Sequence, residues 1–273
     1  MAKNKIRAAL RVPAGPVDLA SYGTAAEPVR RRKRDRRDEM RALQERLYAE
    51  STAGGRRSVL LVLQGMDTAG KGGVTEHVVG VLGPIGVQYT AFKKPTDEEK
   101  AHDFLWRVRN RVPGPGYLGV FDRSHYEEVL VTRVHGDVSV EECRHRYGEI
   151  NQFERELAAG GTTVVKCFLH IGYDTQRERL LARLDNPAKH WKFNEADIDE
   201  RRRWTDYQTA YTDAIEGTNT PEVPWYIVPS DRKKYRNWLI AELVREVLTE
   251  LDPQYPQPDL DVPALRARLA PPN

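Results

Sequence analysis

Gly65, Gly70 and Lys71 in the run GMDTAGKGG (65–73) have the spacing G-x-x-x-x-G-K, which cradles phosphate when a buried strand precedes it and a helix follows. Glycines let successive backbone N–H groups turn onto phosphate oxygens, and a helix N-terminus adds partial positive charge there. Gly65, Met66, Thr68, Ala69, Gly70, Gly72 and Gly73 are thereby candidates to line the anion, and Lys71 to bridge a transferring phosphoryl group. The hydroxyl that ordinarily holds Mg²⁺ one residue after the lysine is absent, because position 72 is glycine. Asp67 is the replacement donor, since Mg²⁺ favours one or two carboxylates together with substrate phosphates. An aspartate in such a turn equally well stabilises its own backbone, so Asp67 alone decides little.

A second carboxylate stands at the end of an apolar run in YLGVFDRSHYEEVLVTRVHG (117–136). In a parallel sheet the C-terminal ends of strands face the ligand crevice, which puts Asp122 where an acidic residue completes a Mg²⁺ site. Arg123 beside it favours an electrostatic role over a turn cap. Glu127 and Glu128 are supporting carboxylates. His125 and His135 read as structural, because phosphoryl transfer relies on positioning and charge more than on proton transfer.

Further on, Arg177, Arg179 and Arg183 belong to a helix predicted to start near Asp174; Arg179 and Arg183, four apart, share a face and could converge on one anion. A solvated basic face accounts for the spacing equally well. The glycine loop tips the balance toward an arginine that closes over the transferring group, with Arg183 as the candidate. Asn194 is predicted to cap a helix through Tyr211, on which Trp204, Tyr207 and Tyr211 form a packing stripe.

The elements that must position these residues follow from the hydrophobic pattern. The continuous apolar run at 58–64 predicts a buried strand, and short runs at 87–92, 117–122, 162–170 and 225–230 predict four more strands. Helical patterns at 71–83, 97–112, 140–161 and from residue 231 alternate with them. Repeated alternation implies an α/β fold with a mainly parallel sheet and helices on both faces. The polar stretch 174–217 is too long for an ordinary connection and reads as a helical lid. Residues 1–29 read as an arm on the surface or on a partner subunit, residues 30–252 as the main domain, and the Pro-rich residues 253–273 as a tail that is extended or docked on a neighbour. Met40, Leu43 and Leu47 give the helix behind the basic run Arg30–Arg37 an apolar face, for core packing or a subunit contact.

Composition narrows the class. The 273 residues are enough for a full core, and 43 basic against 40 acidic residues leave a net charge of only +3, so anion binding must come from local clustering. The basic run lacks aromatic interleaving or a base-reading motif, which argues against nucleic acid as a partner. Cys143 and Cys167 have no metal or disulfide spacing and point to a reducing compartment. Without an apolar run near the roughly 20 residues a membrane span needs, or a secretory leader, the sequence reads as cytoplasmic.

Taken together, GMDTAGKGG, FDRSHYEEVLVTRVHG, RLDNPAKHWKFNEADIDERRRWTDY and PWYIVPSDRKKYRNW resemble polyphosphate kinase family 2 over Arg30 to Leu251. The resemblance implies a P-loop kinase-like three-layer α/β/α sandwich with a five-stranded sheet and a helical lid. It implies reversible, Mg²⁺-dependent transfer (with Mn²⁺ as substitute) from inorganic polyphosphate to adenine or guanine mono- or diphosphates by a homo-oligomer, dimer or tetramer. By matching position it assigns Asp67 and Asp122 to metal and acceptor phosphate, and Lys71 and Arg123 to the transferring group. Lys93 and Arg133 fall to the phosphate chain, and Arg183, Lys189 and Lys192 to the lid. FKKPTDEEKAHDFLWRV, VLVTRVHG and PWYIVPSDRKKYRNW look like members acting on both AMP and ADP, whereas GKGG and FDRS look like members restricted to one of them. Two other readings stay open: an ATP-dependent nucleotide kinase, which the missing hydroxyl after Lys71 disfavours, and a non-catalytic polyanion-binding module. A basic groove from Lys93, Lys94, Arg133 and the lid would make polyphosphate binding strongly salt-sensitive.

Overall fold

The computed structural model describes residues 5–25 and 36–269. Residues 30–35 of the basic run therefore lie outside the described residues. Five strands, β1 (Ser58–Gln64), β2 (Val87–Ala91), β3 (Leu118–Asp122), β4 (Thr162–His170) and β5 (Trp225–Pro229), form one sheet in the order β2-β3-β1-β4-β5. Every pairing is parallel. β1 is buried along its whole length, as its unbroken apolar run requires of a central strand covered on both faces. Each predicted strand is found within one residue of its expected ends.

Twelve α-helices surround the sheet among the described residues: α1 (Lys5–Leu10), α2 (Arg37–Ser51), α3 (Lys71–Val74), α4 (Asp97–Lys100), α5 (Trp106–Arg109), α6 (Glu127–Val134), α7 (Val140–Ala159), α8 (Tyr173–Leu184), α9 (Ala196–Arg202), α10 (Trp204–Thr218), α11 (Lys233–Leu251) and α12 (Val262–Leu269). One layer contains α2, α3 and α11; the other contains α6, α7 and α10. The lid chain, α8 through α10, leaves the end of β4 and returns to β5. It carries its own 3₁₀ turn, Pro187–Lys192, begun by Asn186 accepting from the Ala188 N–H at 3.0 Å.

Three expected helices are interrupted. After α3 the backbone widens into a π turn over Thr75–Val79, which presents both Val78 and Val79 to the core. The predicted helix at 97–112 is two short ones, because Thr96 and Glu99 form a capping box that starts α4 and Asp103 accepts from the Leu105 N–H at 3.0 Å before α5. The helix expected through Tyr211 breaks at Arg203, separating α9 from α10. Asn194 does accept from the Ala196 N–H, at 3.1 Å, and Tyr207 and Tyr211 are buried in the core.

The N-terminal arm covers the free edge of β5. Arg11 bridges Tyr226 in antiparallel sense, the Val12 N–H donates to the Trp225 carbonyl at 2.9 Å, and the Ile6 and Arg7 N–H groups donate to the Glu246 carboxylate. An edge strand that would otherwise expose its backbone is thus paired within the same chain. Met40, Leu43 and Leu47 are 2%, 6% and 1% exposed, so the apolar face of α2 is spent on the core against α11 rather than offered to another subunit. The tail lies on α2 at its start, with Gln254 and Tyr255 bonded to Glu50 and Glu45. The extended tail expected from its prolines is corrected at Val262–Leu269, which is helical: Asp261 accepts from the Ala264 N–H at 3.0 Å, and Pro263 falls in the first turn, where no amide donor is needed. No helix among the described residues is long and apolar enough to cross a membrane.

Candidate active site

The parallel sheet brings the C-terminal ends of β1 and β3 side by side, with Leu63 in register with Asp122. Gly65 to Gly73 loops out of β1, and Gly70 enters α3 with a left-handed φ of 110°, a conformation that glycine adopts without strain. After Asp122 the chain turns sharply: Arg123 has φ 64° and its N–H donates to the Leu63 carbonyl at 3.1 Å. A left-handed arginine at a strand end is strained local backbone beside the loop. The turn aims its guanidinium across at the loop, where Nη2 meets Asp67 Oδ1 at 3.1 Å and Nη1 lies 3.7 Å from Glu127 Oε2. Asp122 faces the same space, with Oδ2 accepting from the Tyr89 hydroxyl at 3.1 Å.

Lys71 folds back over the loop and donates to the Gly65 carbonyl at 2.7 Å. Burial of its surroundings and the nearby Arg123 push its pKa down, while Asp67, Asp122 and Glu127 pull it back. Glu127 is raised by burial despite Arg123 and Lys71. The Gln64 amide, with its nitrogen toward Glu127 Oε1 at 2.9 Å, accepts from the Ser124 N–H at 3.1 Å and so ties β1 to the turn after β3. Arg123 is held firmly in its charged form by Glu127 and Asp67. Asp67, Lys71, Asp122 and Arg123, taken from two segments of the sequence, therefore form one cluster.

The lid arginines part company. Arg179 Nη1 donates to the Thr68 carbonyl at 2.8 Å, and its Nη2 to the Ser230 and Asp231 carbonyls at 2.6 and 2.8 Å. Arg183 instead donates to the Lys192 carbonyl at 3.0 Å and to Asp197 Oδ2 at 3.2 Å. A shared helical face does not fix a shared partner: Arg179 is engaged with backbone, and Arg183 with the lid. Asp197 is a carboxylate that sequence reasoning missed. Burial, then Asp67, push it up to about 6, against the pull of Arg183, Arg123 and Lys71, so this lid residue looks onto the loop.

Lys189 and Lys192 are exposed on the lid turn, and Lys93 is exposed after β2. Lys233, at the start of α11, was also missed; burial lowers its pKa, and so do Arg179, Lys189, Arg236 and Arg183 around it. A basic pair at i and i+3, Lys233 and Arg236, directly after the last apolar strand was the available signal. Arg133 lies elsewhere, its Nη2 on Asp213 Oδ2 at 2.6 Å. His135 pairs with Glu200 at 2.9 Å and His125 is buried 3.3 Å from Glu154, neither contacting the loop cluster.

Two carboxylates and no larger acidic group are what the site offers a metal: among the described residues no three His, Cys, Asp or Glu side chains gather to hold one. That donor set fits Mg²⁺, which takes one or two carboxylates and leaves its other positions to phosphate and water. Each carboxylate spends one named oxygen on Arg123 or Tyr89.

A family model described as Polyphosphate kinase 2 matches residues 24–257. The chain is 49% identical over 217 residues to an AMP/ADP-polyphosphate phosphotransferase of Meiothermus ruber, covering 80% of each chain. To an ADP-polyphosphate phosphotransferase of Rhodopseudomonas palustris it is 39% identical over 272 residues, covering 93% of this chain and 92% of that one. The crystal structure of polyphosphate kinase 2 from Arthrobacter aurescens superposes with a TM-score of 0.93 at 46% identity, covering 97% of this chain and 96% of that one.

Proposed function

The chain belongs to the polyphosphate kinase 2 family, and from that premise we propose how its site moves the terminal phosphoryl group of inorganic polyphosphate onto AMP or ADP. It is a phosphotransferase. The observation that carries the site reading is the incomplete partnership of Lys71, an ammonium with a single carbonyl partner set beside a second cation, Arg123. A substrate phosphate completes it.

In the transition state, charge spreads over the oxygens of a metaphosphate-like group. Lys71 and Arg123 hold those oxygens; Asp67 and Asp122 would hold Mg²⁺, or Mn²⁺ in its place, whose charge would offset that of the phosphates. The acceptor is itself a phosphate whose second pKa is near 6, so it arrives ionised and needs no general base. Histidines removed from the cluster agree with that chemistry. One phosphoanhydride is broken and another formed, so the reaction runs in both directions.

Arg183, paired with Asp197, is the lid cation assigned to the transferring group, and Lys189, Lys192 and Lys93 track the chain of phosphates. Arg133 joins them only by exchanging Asp213 for phosphate. Residues 30–252 form the catalytic unit, with 174–217 as its lid, in a homo-oligomer. Polyphosphate supplied with AMP, ADP, GMP or GDP separately, with Mg²⁺ and without ATP, should yield ADP and ATP from the adenine nucleotides on chromatography. Product formed only when ATP is the donor would overturn the reading; polyphosphate binding without product would make the chain a binding module.

A further inference from the structure

Three side chains outside the reacting cluster take the carbonyls of three successive loop residues. Gln176 Nε2 donates to the Asp67 carbonyl at 3.2 Å, Arg179 Nη1 to that of Thr68 at 2.8 Å, and Arg236 Nη1 to that of Ala69 at 2.8 Å. A trans peptide directs its C=O and the following N–H to opposite sides. Drawing these oxygens to one side of the loop turns the following N–H groups to the other. The Ala69 N–H is used by the Met66 carbonyl at 3.1 Å, which leaves those of Thr68 and Gly70 facing away from the clamp.

The glycines respond to the same guanidinium. A Cβ at Gly70 would collide with Arg236, and one at Gly73 would stand 2.7 Å from its Nη2, whereas a Cβ at Gly72 would meet nothing within 4 Å. Gly70 and Gly73 thus make room for an internal cation. Arg236 is 2% exposed, and among the described residues the hydrogen-bond partners of both guanidiniums are neutral: backbone carbonyls for Arg179, the Ala69 carbonyl and the Asn237 amide oxygen for Arg236. Burial lowers the pKa of both: Arg236 falls to about 10 with Arg179 adding repulsion, and Arg179 falls although Asp231 and Glu178 pull it back.

We propose that Arg179 and Arg236 are positioning residues that fix the amides of the glycine loop and keep two unpaired positive charges beneath it, a charge imbalance that a bound polyanion relieves. The inference rests on the phosphoryl-transfer reading of the loop. It makes ligand-free stability and anion binding oppose one another, which ordinary packing does not. Removing the charge of Arg236 relieves repulsion in the empty protein and weakens the attraction felt by phosphate.

The test compares Arg236→Gln and Arg236→Lys with the unaltered protein, by melting temperature without ligand and with tripolyphosphate, and by KM for polyphosphate and kcat. Arg236→Gln should melt at or above the unaltered protein when empty, gain less from tripolyphosphate, and show KM raised on the order of tenfold. Arg236→Lys keeps the charge without the planar fork, so it should retain most of the tripolyphosphate shift while kcat falls. An Arg236→Gln variant that fails to fold, or that melts lower when empty yet gains as much from tripolyphosphate, overturns the proposal and makes Arg236 a packing residue. The melting shifts need no turnover, so a protein inactive with polyphosphate would sink the functional reading while leaving this one open to its own test.

Discussion

Lys71 and Lys166 are two lysines in crowded surroundings, and burial works against the charge of both. Lys166, in the middle of β4, is fully buried and donates to Glu154 Oε2 at 2.6 Å, the Thr218 carbonyl at 2.7 Å and the Tyr126 hydroxyl at 3.1 Å. Its three ammonium protons are matched by three acceptors, and Glu154 is kept ionised because Lys166 and His125 together outweigh the effect of burial. Lys71 retains some solvent access, has one carbonyl partner, and shares its space with Arg123. A buried charge with a complete set of partners is architecture; one left incomplete and accessible is poised for a ligand.

The contrast is sharpest if each lysine is removed. Lys166→Met strands the Glu154 carboxylate in the core and should destabilise the fold by about 3–5 kcal/mol, read by denaturant unfolding. The double variant Lys166→Met with Glu154→Gln should regain part of that loss, and turnover per folded molecule should change only a few-fold. Asp67→Asn, Lys71→Met and Asp122→Asn should each lower turnover on the order of a hundredfold or more, about 2.7 kcal/mol, while the protein stays folded. Full activity in Asp122→Asn would remove Asp122 from the metal site. Arg183→Ala should cost less, on the order of tenfold in kcat, because Lys189 and Lys233 remain nearby.

The smallest effect concerns the lid carboxylate. Asp197 is pushed up to about 6, so the folded protein holds its proton more tightly than the unfolded chain does. Its contribution to stability is therefore lost as pH rises from the ordinary aspartate range through about 6. In metal-free buffer, thermal unfolding between pH 4 and 7 should show this decline relative to Asp197→Asn; parallel profiles for the two proteins would place Asp197 away from the loop.

Much of the fold was legible because a strand buried on both faces, as β1 is, leaves an unbroken apolar run, and the other four follow as short strand-like runs between helices, down to the edge strand β2, which buries none of its residues. The loop cluster was legible for a related reason: Gly65 and Asp122 sit at strand ends, whose position in a parallel sheet is fixed by topology, and Lys71 opens the helix that follows the loop. Less was legible where side chains compete with the backbone, as Asp103 does between α4 and α5. The partners of Arg179 and Arg183 depend on which carbonyls and carboxylates tertiary packing delivers, and helical spacing carries no record of that. Gly72 shows both sides. The sequence marks it as the missing hydroxyl, but only the structure separates it from Gly70 and Gly73, whose space Arg236 fills.

The most direct trial is to measure polyphosphate-dependent ATP formation from ADP by Lys71→Met together with its ligand-free melting temperature. Turnover reduced on the order of a hundredfold or more, with the melting temperature unchanged or raised, is the expected result. A melting temperature lowered as far as that of Lys166→Met, with turnover per folded molecule preserved, would make Lys71 a second structural lysine and contradict the site.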